Sequence, residues 1–159
     1  MTQHRIGIDL GGTKIEIAVL GSDGSERLRH RIDTPHGYPA SLEAIAALVR
    51  DAEAKLGVTA TVSIGIPGVI SPATGLVKNA NSIALNGHAF DQEISALLNR
   101  EVRVENDANC FTLSEASDGA GSGHGVVFTP RARVFLPIGI PLTVLVVVSR
   151  TDKGSAPAK

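Results

Sequence analysis

Apolar residues alternate with polar or small ones through the opening of the chain: Ile6, Ile8 and Leu10 are separated by Gly7 and Asp9, and Ile15, Ile17 and Val19 by Glu16 and Ala18. A period of two predicts half-buried strands over residues 5–9 and 15–20, joined across Gly11-Gly12. A third strand over residues 26–33 follows the turn-forming Gly21-Ser22-Asp23-Gly24, so the chain opens as an antiparallel meander. The period then lengthens. Leu42, Ile45, Leu48, Val49, Ala52 and Leu56 fall on one face of a helix that Ser41 can cap and Gly57 stops. Residues 62–66 read as a buried strand ending at Pro67-Gly68. Residues 69–89, dense in Gly, Asn and Ser, form a loop too long to be an idle connection in a compact domain.

Beyond that loop, Asp91 is placed to cap a second helix with Ile94, Leu97 and Leu98 facing inward. A strand over 102–104 leads into Glu105-Asn106-Asp107, and a third helix is expected over 108–117. The order is βββαβαβα, an α/β pattern. It sets Asp9, Pro67-Gly68 and Asp107 at strand ends, where open α/β sheets bind their ligands.

The 159 residues suit one well-buried domain. With 15 basic and 16 acidic residues, the chain has no excess positive field for a nucleic-acid backbone or an anionic membrane. The start shows no basic stretch followed by an apolar one, and the single cysteine, Cys110, has no internal partner, which points to a reducing, cytoplasmic location. Residues 134–148 are apolar but interrupted by Pro137, Gly139 and Pro141, and they fall short of the roughly 20 residues of a membrane-spanning helix. No membrane span is expected.

The chemistry concentrates at Asp9-Leu10-Gly11-Gly12-Thr13-Lys14. Without a Cβ at Gly11 or Gly12, the backbone can turn tightly and bring its N–H groups to phosphate oxygens, Lys14 adds charge, and Asp9 can face magnesium through water. Neither common nucleotide loop spacing fits this run. The same glycines would also close a plain hairpin. Asp107, projecting from a strand end beside Asn106, is a candidate general base, and equally the N-cap of the helix that follows. Asn79, Asn81, Ser82 and Asn86 offer the paired donors and acceptors that read sugar hydroxyls, as an ordinary polar loop also would. His4, His30, His36, His88 and His124 show no metal-ligand spacing.

Taken together, Asp9-x-Gly11-Gly12-Thr13-Lys14, Gly65-Ile66-Pro67-Gly68, Asn79-Ala80-Asn81 and Glu105-Asn106-Asp107-Ala108-Asn109-Cys110 resemble the N-terminal lobe of the ROK sugar kinases. Within that family, Val77-Lys78-Asn79-Ala80-Asn81-Ser82, Leu85-Asn86-Gly87 and Phe90-Asp91 are most similar to bacterial fructokinases of the manno(fructo)kinase type. The resemblance implies a ribonuclease-H-like, actin-type ATPase fold of which this chain is a single lobe, and phosphorylation of a hexose, fructose or mannose, by ATP with Mg2+. It makes Asp107 the catalytic base and Asn106 a sugar ligand. Gly11, Gly12, Thr13 and Lys14 hold phosphate, and Asp9 helps position magnesium. Pro67, Gly68 and Asn81 line the sugar pocket.

The resemblance runs over residues 1–128 and then stops: Thr129-Pro130-Arg131-Ala132-Arg133 stands where the family continues into a second glycine-rich phosphate loop. The family's E-x-G-H sugar element and its cysteine-rich zinc motif are not found, so no zinc site is expected. Residues 129–159 read as a divergent tail outside the family fold, as a change of reading frame in the gene would produce. A kinase lobe inactive by itself is the leading expectation, and a non-catalytic sugar-binding or regulatory remnant the alternative. A ROK-type repressor is not expected, because only residues 1–4 precede the first strand. The partner expected is a hexose, and residues 134–148 leave a homo-oligomer open as well.

Overall fold

The computed structural model describes residues 4–81, 83–107 and 109–110, with residues 83, 126–128 and 146–148 described by their backbone alone. The chain divides into two compact units, residues 1–107 and 108–159.

The first unit is built on a five-stranded sheet whose strands lie in the order residues 26–33, 14–20, 4–10, 60–66 and 102–106. Strands β1 (His4–Leu10), β2 (Lys14–Leu20) and β3 (Glu26–Asp33) form the expected antiparallel meander. Helix α1 (Tyr38–Leu56) then crosses to β4 (Ala60–Ile66), parallel to β1, and helix α2 (Phe90–Leu98) crosses to β7 (Val102–Asn106), parallel to β4. This is the α/β, ribonuclease-H-like arrangement the resemblance implies. The alternation explains the burial. Ile6, Ile8, Leu10, Ile15, Ile17 and Val19 are at most 4% exposed and pack with Val62, Ile64 and Ile66 against Ile45, Val49, Phe90 and Ile94 of the helices. Asp9, Arg29, Arg31 and Glu105 occupy the intervening, exposed positions. Glu16, between Ile15 and Ile17, accepts hydrogen bonds from both Arg29 and Arg31 of the neighbouring strand.

Three local expectations are corrected. Helix α1 begins at Tyr38, after Gly37 at φ 87°, rather than at a Ser41 cap. Pro39 suits the first turn because its missing N–H would have no partner there, and Ser41, one turn in, donates 3.0 Å bonds to the carbonyls of Pro35 and Gly37. The end at Gly57, in the left-handed region at φ 65°, is as the sequence implies. Asp91 likewise stands inside the first turn of α2 rather than capping it, where with Glu93 it faces the positive end of the helix. The loop over 69–89 contains a small hairpin, β5 (Val69–Ile70) with β6 (Val77–Lys78), and a turn of 3-10 helix at Ile83–Leu85.

A polar clamp closes the far side of this unit. Arg100 donates to both carboxylate oxygens of Glu53, at 2.7 and 2.6 Å, and to the Ala60 carbonyl at 3.0 Å, while Ala60 N–H donates to Glu53 at 2.8 Å. The Arg100 guanidinium outweighs burial and holds the Glu53 carboxyl below its ordinary value of 4.5. The end of α1 is thereby fixed to the starts of β4 and β7.

In the second unit, β8 (Val126–Phe128) pairs antiparallel with β9 (Val146–Val148). Of the expected third helix, Asn109 and Cys110 are helical, and residues 111–117 lie outside the described residues. Among the described residues no helix is long and apolar enough to cross a membrane.

Candidate functional site

Strands β1, β4 and β7 run parallel and end together. Asp9 pairs with Gly65 and Gly65 with Glu105, so the two carboxylates share one row across the sheet with a glycine between them. Two strand spacings put them about 10 Å apart, on the face away from the core. One row further, Ile66 pairs with Asn106, and Asp107 follows half-buried and in helical conformation.

The glycine turn leaves β1 on its other side. Gly11 N–H donates to the Lys14 carbonyl at 2.9 Å, and a Cβ on Gly11 would sit 3.0 Å from that oxygen, so a side chain there would press on the turn. Thr34, just after β3, staples it: its N–H donates to the Thr13 carbonyl at 3.0 Å and its hydroxyl to the Gly11 carbonyl at 2.8 Å. Beside the turn lies a cleft of about 540 Å³ lined by Gly12, Thr13, His36, Gly37, Asn81 and neighbouring residues.

Lys14 departs from expectation. The β2–β3 register sets it opposite Asp33, and its ammonium pairs with the Asp33 carboxylate instead of lining the cleft. The pair is exposed, 55% and 83% at the two side chains, so an anion can compete for the lysine at little cost.

The residues expected on the sugar side come together through hydrogen bonds. Asn81 N–H donates to the Pro67 carbonyl at 3.2 Å, and Asn106 Nδ2 donates to the Gly68 carbonyl at 2.8 Å. The turn at Gly68 is pressed against the loop: a Cβ there would stand 2.9 Å from Ala80 Cβ and 3.0 Å from the Lys78 carbonyl. Pro67, Gly68, Asn81 and Asn106 thus form one connected cluster, and Asn81 reaches from it into the cleft that Gly12 and Thr13 share. Asn106 also lines a recess of about 290 Å³ with Ile66, Val69, Ile70, Val104 and Glu105.

The Asn86 side chain is bound to the loop backbone. It accepts from Ala80 N–H and donates to the Ala80 carbonyl, both at 2.9 Å, and so serves as a backbone partner for the loop. Asn79 adopts φ 57°, a left-handed conformation that asparagine tolerates, and Ser82 lies outside the described residues. The loop ends on Tyr38: His88 stacks on the Tyr38 ring at 3.6 Å, and Phe90 meets it edge-on at 6.4 Å. Thr34 and His36 are the residues the sequence reading missed. Their signal was the register itself, since a strand paired with residues 15–20 must deliver its C-terminal end beside the glycine turn.

The fold and this cluster define a class, and comparison with known proteins agrees with it. The chain belongs to the ROK family, whose profile matches residues 5–131. It is 41% identical over 140 residues to an N-acetyl-D-glucosamine kinase of Histophilus somni, covering 79% of this chain and 46% of that protein. It is 45% identical over 113 residues to the N-acetyl-D-glucosamine kinase of Salmonella gallinarum, covering 70% and 37%. Among solved structures, a ROK glucokinase from Streptomyces griseus in complex with glucose and AMPPNP superposes at a TM-score of 0.67 with 30% identity, over 76% of this chain and 38% of that one. An inorganic polyphosphate/ATP-glucomannokinase from Arthrobacter superposes at 0.65 with 32% identity, over 80% and 53%. The α/β, actin-type fold is that of these neighbours. The chain spans about half the length or less of the curated relatives quoted, 46% and 37%.

Proposed function

We propose that this chain forms the phosphate-side and sugar-side walls of an ATP-dependent hexose kinase, with fructose or mannose as the hexose. The observation that carries the proposal is the hydrogen-bonded cluster of Pro67, Gly68, Asn81 and Asn106, which meets the Thr34-stapled glycine turn across one cleft at the strand ends. In this reading Asp107 accepts the proton of the sugar hydroxyl as its oxygen attacks the terminal phosphorus of ATP in line, and ADP leaves. Asn106, held by Gly68, orients that sugar, and Pro67, Gly68 and Asn81 shape its pocket. Gly12 and Thr13 present backbone donors to the phosphates, Gly11 closes the turn behind them through its bond to the Lys14 carbonyl, and Lys14 exchanges Asp33 for one of the phosphates. A cleft of about 540 Å³ beside those donors accommodates a phosphate chain. Asp9, an exposed hard-oxygen ligand in one row with Glu105, suits magnesium held through water, which would neutralise phosphate charge.

The choice of fructose or mannose rests on the resemblance of residues 77–82, 85–87 and 90–91 to bacterial fructokinases, whereas the curated relatives quoted are N-acetyl-D-glucosamine kinases. The second glycine-rich loop that the resemblance leads one to expect does not follow Phe128, and residues 129–159 are taken as outside the family fold. The chain alone is therefore expected not to turn over ATP. A coupled ADP-release assay with fructose, mannose, glucose and N-acetyl-D-glucosamine, run beside hexose-dependent thermal stabilisation, tests the reading. Stabilisation by fructose or mannose without ADP release is the expected result. Stabilisation by none of the four sugars refutes the sugar-side assignment, and stabilisation by N-acetyl-D-glucosamine alone refutes the choice of hexose.

A further inference from the structure

The cleft beside the glycine turn contains a charge partner that the phosphate reading does not use. Among the described residues that line it, His36 is the side chain able to carry positive charge, and Lys14 is paired with Asp33 outside the lining. The segment bearing His36 is held on both sides. Before it, Thr34 is bound to the turn through the Thr13 and Gly11 carbonyls, and after it, the Ser41 hydroxyl holds the carbonyls of Pro35 and Gly37 at 3.0 Å each. The same bonds commit the Thr34 and Ser41 hydroxyls to protein carbonyls. The His36 ring stands exposed between these two anchors.

From this geometry we infer that His36 is an anion-contacting residue, donating from its imidazole to a phosphoryl oxygen held against Gly12 and Thr13. The inference deepens the proposed phosphate role of the turn and rests on it. Its ligand class is a phosphoryl oxyanion, whether of a nucleotide's phosphate chain or of a phosphorylated sugar. A charge-assisted bond from a segment fixed in advance to the turn costs little ordering on binding, so its loss should be felt in affinity rather than in folding.

The test is a titration of the chain with inorganic tripolyphosphate, ATP and a hexose phosphate at constant ionic strength and one fixed, mildly acidic pH. It is followed by NMR of the histidine rings and the backbone amides. Comparison with His36→Gln assigns the His36 ring signal, and His30→Gln, on β3 outside the cleft lining, is the control. The His36 ring and the Gly12 and Thr13 amides should move together and saturate at one concentration. His36→Gln should weaken Kd on the order of 3- to 10-fold and His30→Gln should not. The arm with the tighter Kd identifies the source of the phosphoryl group. Amide shifts at Gly12 and Thr13 with an unchanged Kd in His36→Gln would overturn this inference and leave the phosphate turn standing. If no probe moves the turn amides, the phosphate reading fails and this inference fails with it.

Discussion

Gly68→Ala is the sharpest test of how the sugar-side cluster is held together. The new methyl would stand 2.9 Å from Ala80 Cβ, 3.1 Å from Ala80 Cα and 3.0 Å from the Lys78 carbonyl. Carbon atoms rest at about 3.5–4.0 Å, so the loop must retreat by roughly half an ångström or more, and its obstacles are backbone atoms and a methyl with no rotamer to change. The φ of Gly68 lies outside the left-handed region, so the cost arises from contact and not from torsion. Overpacking of this kind costs about 1–3 kcal/mol. Retreat also strains the 3.2 Å bond from Asn81 to Pro67, at the long end of the range, for roughly another 0.5–1.5 kcal/mol. The stiffer unfolded chain returns about 0.4–1 kcal/mol. The net expectation is a loss of roughly 1–4 kcal/mol, read as a lower urea midpoint by circular dichroism, with a displaced Asn106 side-chain amide signal. Gly7→Ala is the control, since a Cβ there meets nothing within 4 Å. Equal stability of Gly68→Ala and Gly7→Ala would refute the close approach and the clamp drawn from it.

The clamp between Glu53 and Arg100 predicts an acid dependence. Because the folded carboxyl titrates below 4.5, its stabilisation is present above that value and is lost as pH falls through the folded pKa, so Glu53→Gln should flatten the decline in stability below about pH 4.5 while costing roughly 1–3 kcal/mol at neutral pH. Urea titrations of both proteins at several pH values check this, and parallel declines would contradict it. Thr34→Val keeps the shape but removes the bond to the Gly11 carbonyl; it should cost about 1 kcal/mol and speed hydrogen exchange in residues 11–14, which unchanged exchange would disprove. In a form carrying the remaining length of a ROK kinase, Asp107→Asn should lower kcat on the order of 10²-fold or more with the fold intact. Near-normal turnover there would remove Asp107 from the role of base.

The readable parts of this molecule are those whose cause is local. Alternation at Ile6, Ile8 and Leu10 could bury only one face, and Gly57 could only end a helix by entering the left-handed region. Ser41 has the side chain of a cap, yet Gly37 and Pro39 already admit the helix four residues earlier. Strands β5 and β6 are two residues each, too short to show any period. The bonds from Asn81 to Pro67 and from Asn106 to Gly68 span 14 and 38 residues, and nothing in a linear pattern foretells which carbonyl an asparagine will find. The pairing of Lys14 with Asp33 was legible in principle from the hairpin register, but a lysine beside two glycines suggests a phosphate first.

The place where these pieces meet follows from β1. That strand pairs antiparallel with β2 on one side and parallel with β4 on the other. An antiparallel neighbour returns through a tight turn, whereas a parallel neighbour starts again only after a crossover, so at the C-terminal end of β1 the two flanking connections must part. The glycine turn goes one way, toward Thr34 and His36, and the Pro67-Gly68 turn goes the other, toward Ala80 and Asn106. Asn81, bound to Pro67 yet lining the same cleft as Gly12, is the bridge between them. On the proposed reading a phosphate wall and a sugar wall stand on opposite sides of one strand end and face a single reacting centre, with Asn81 the residue common to both.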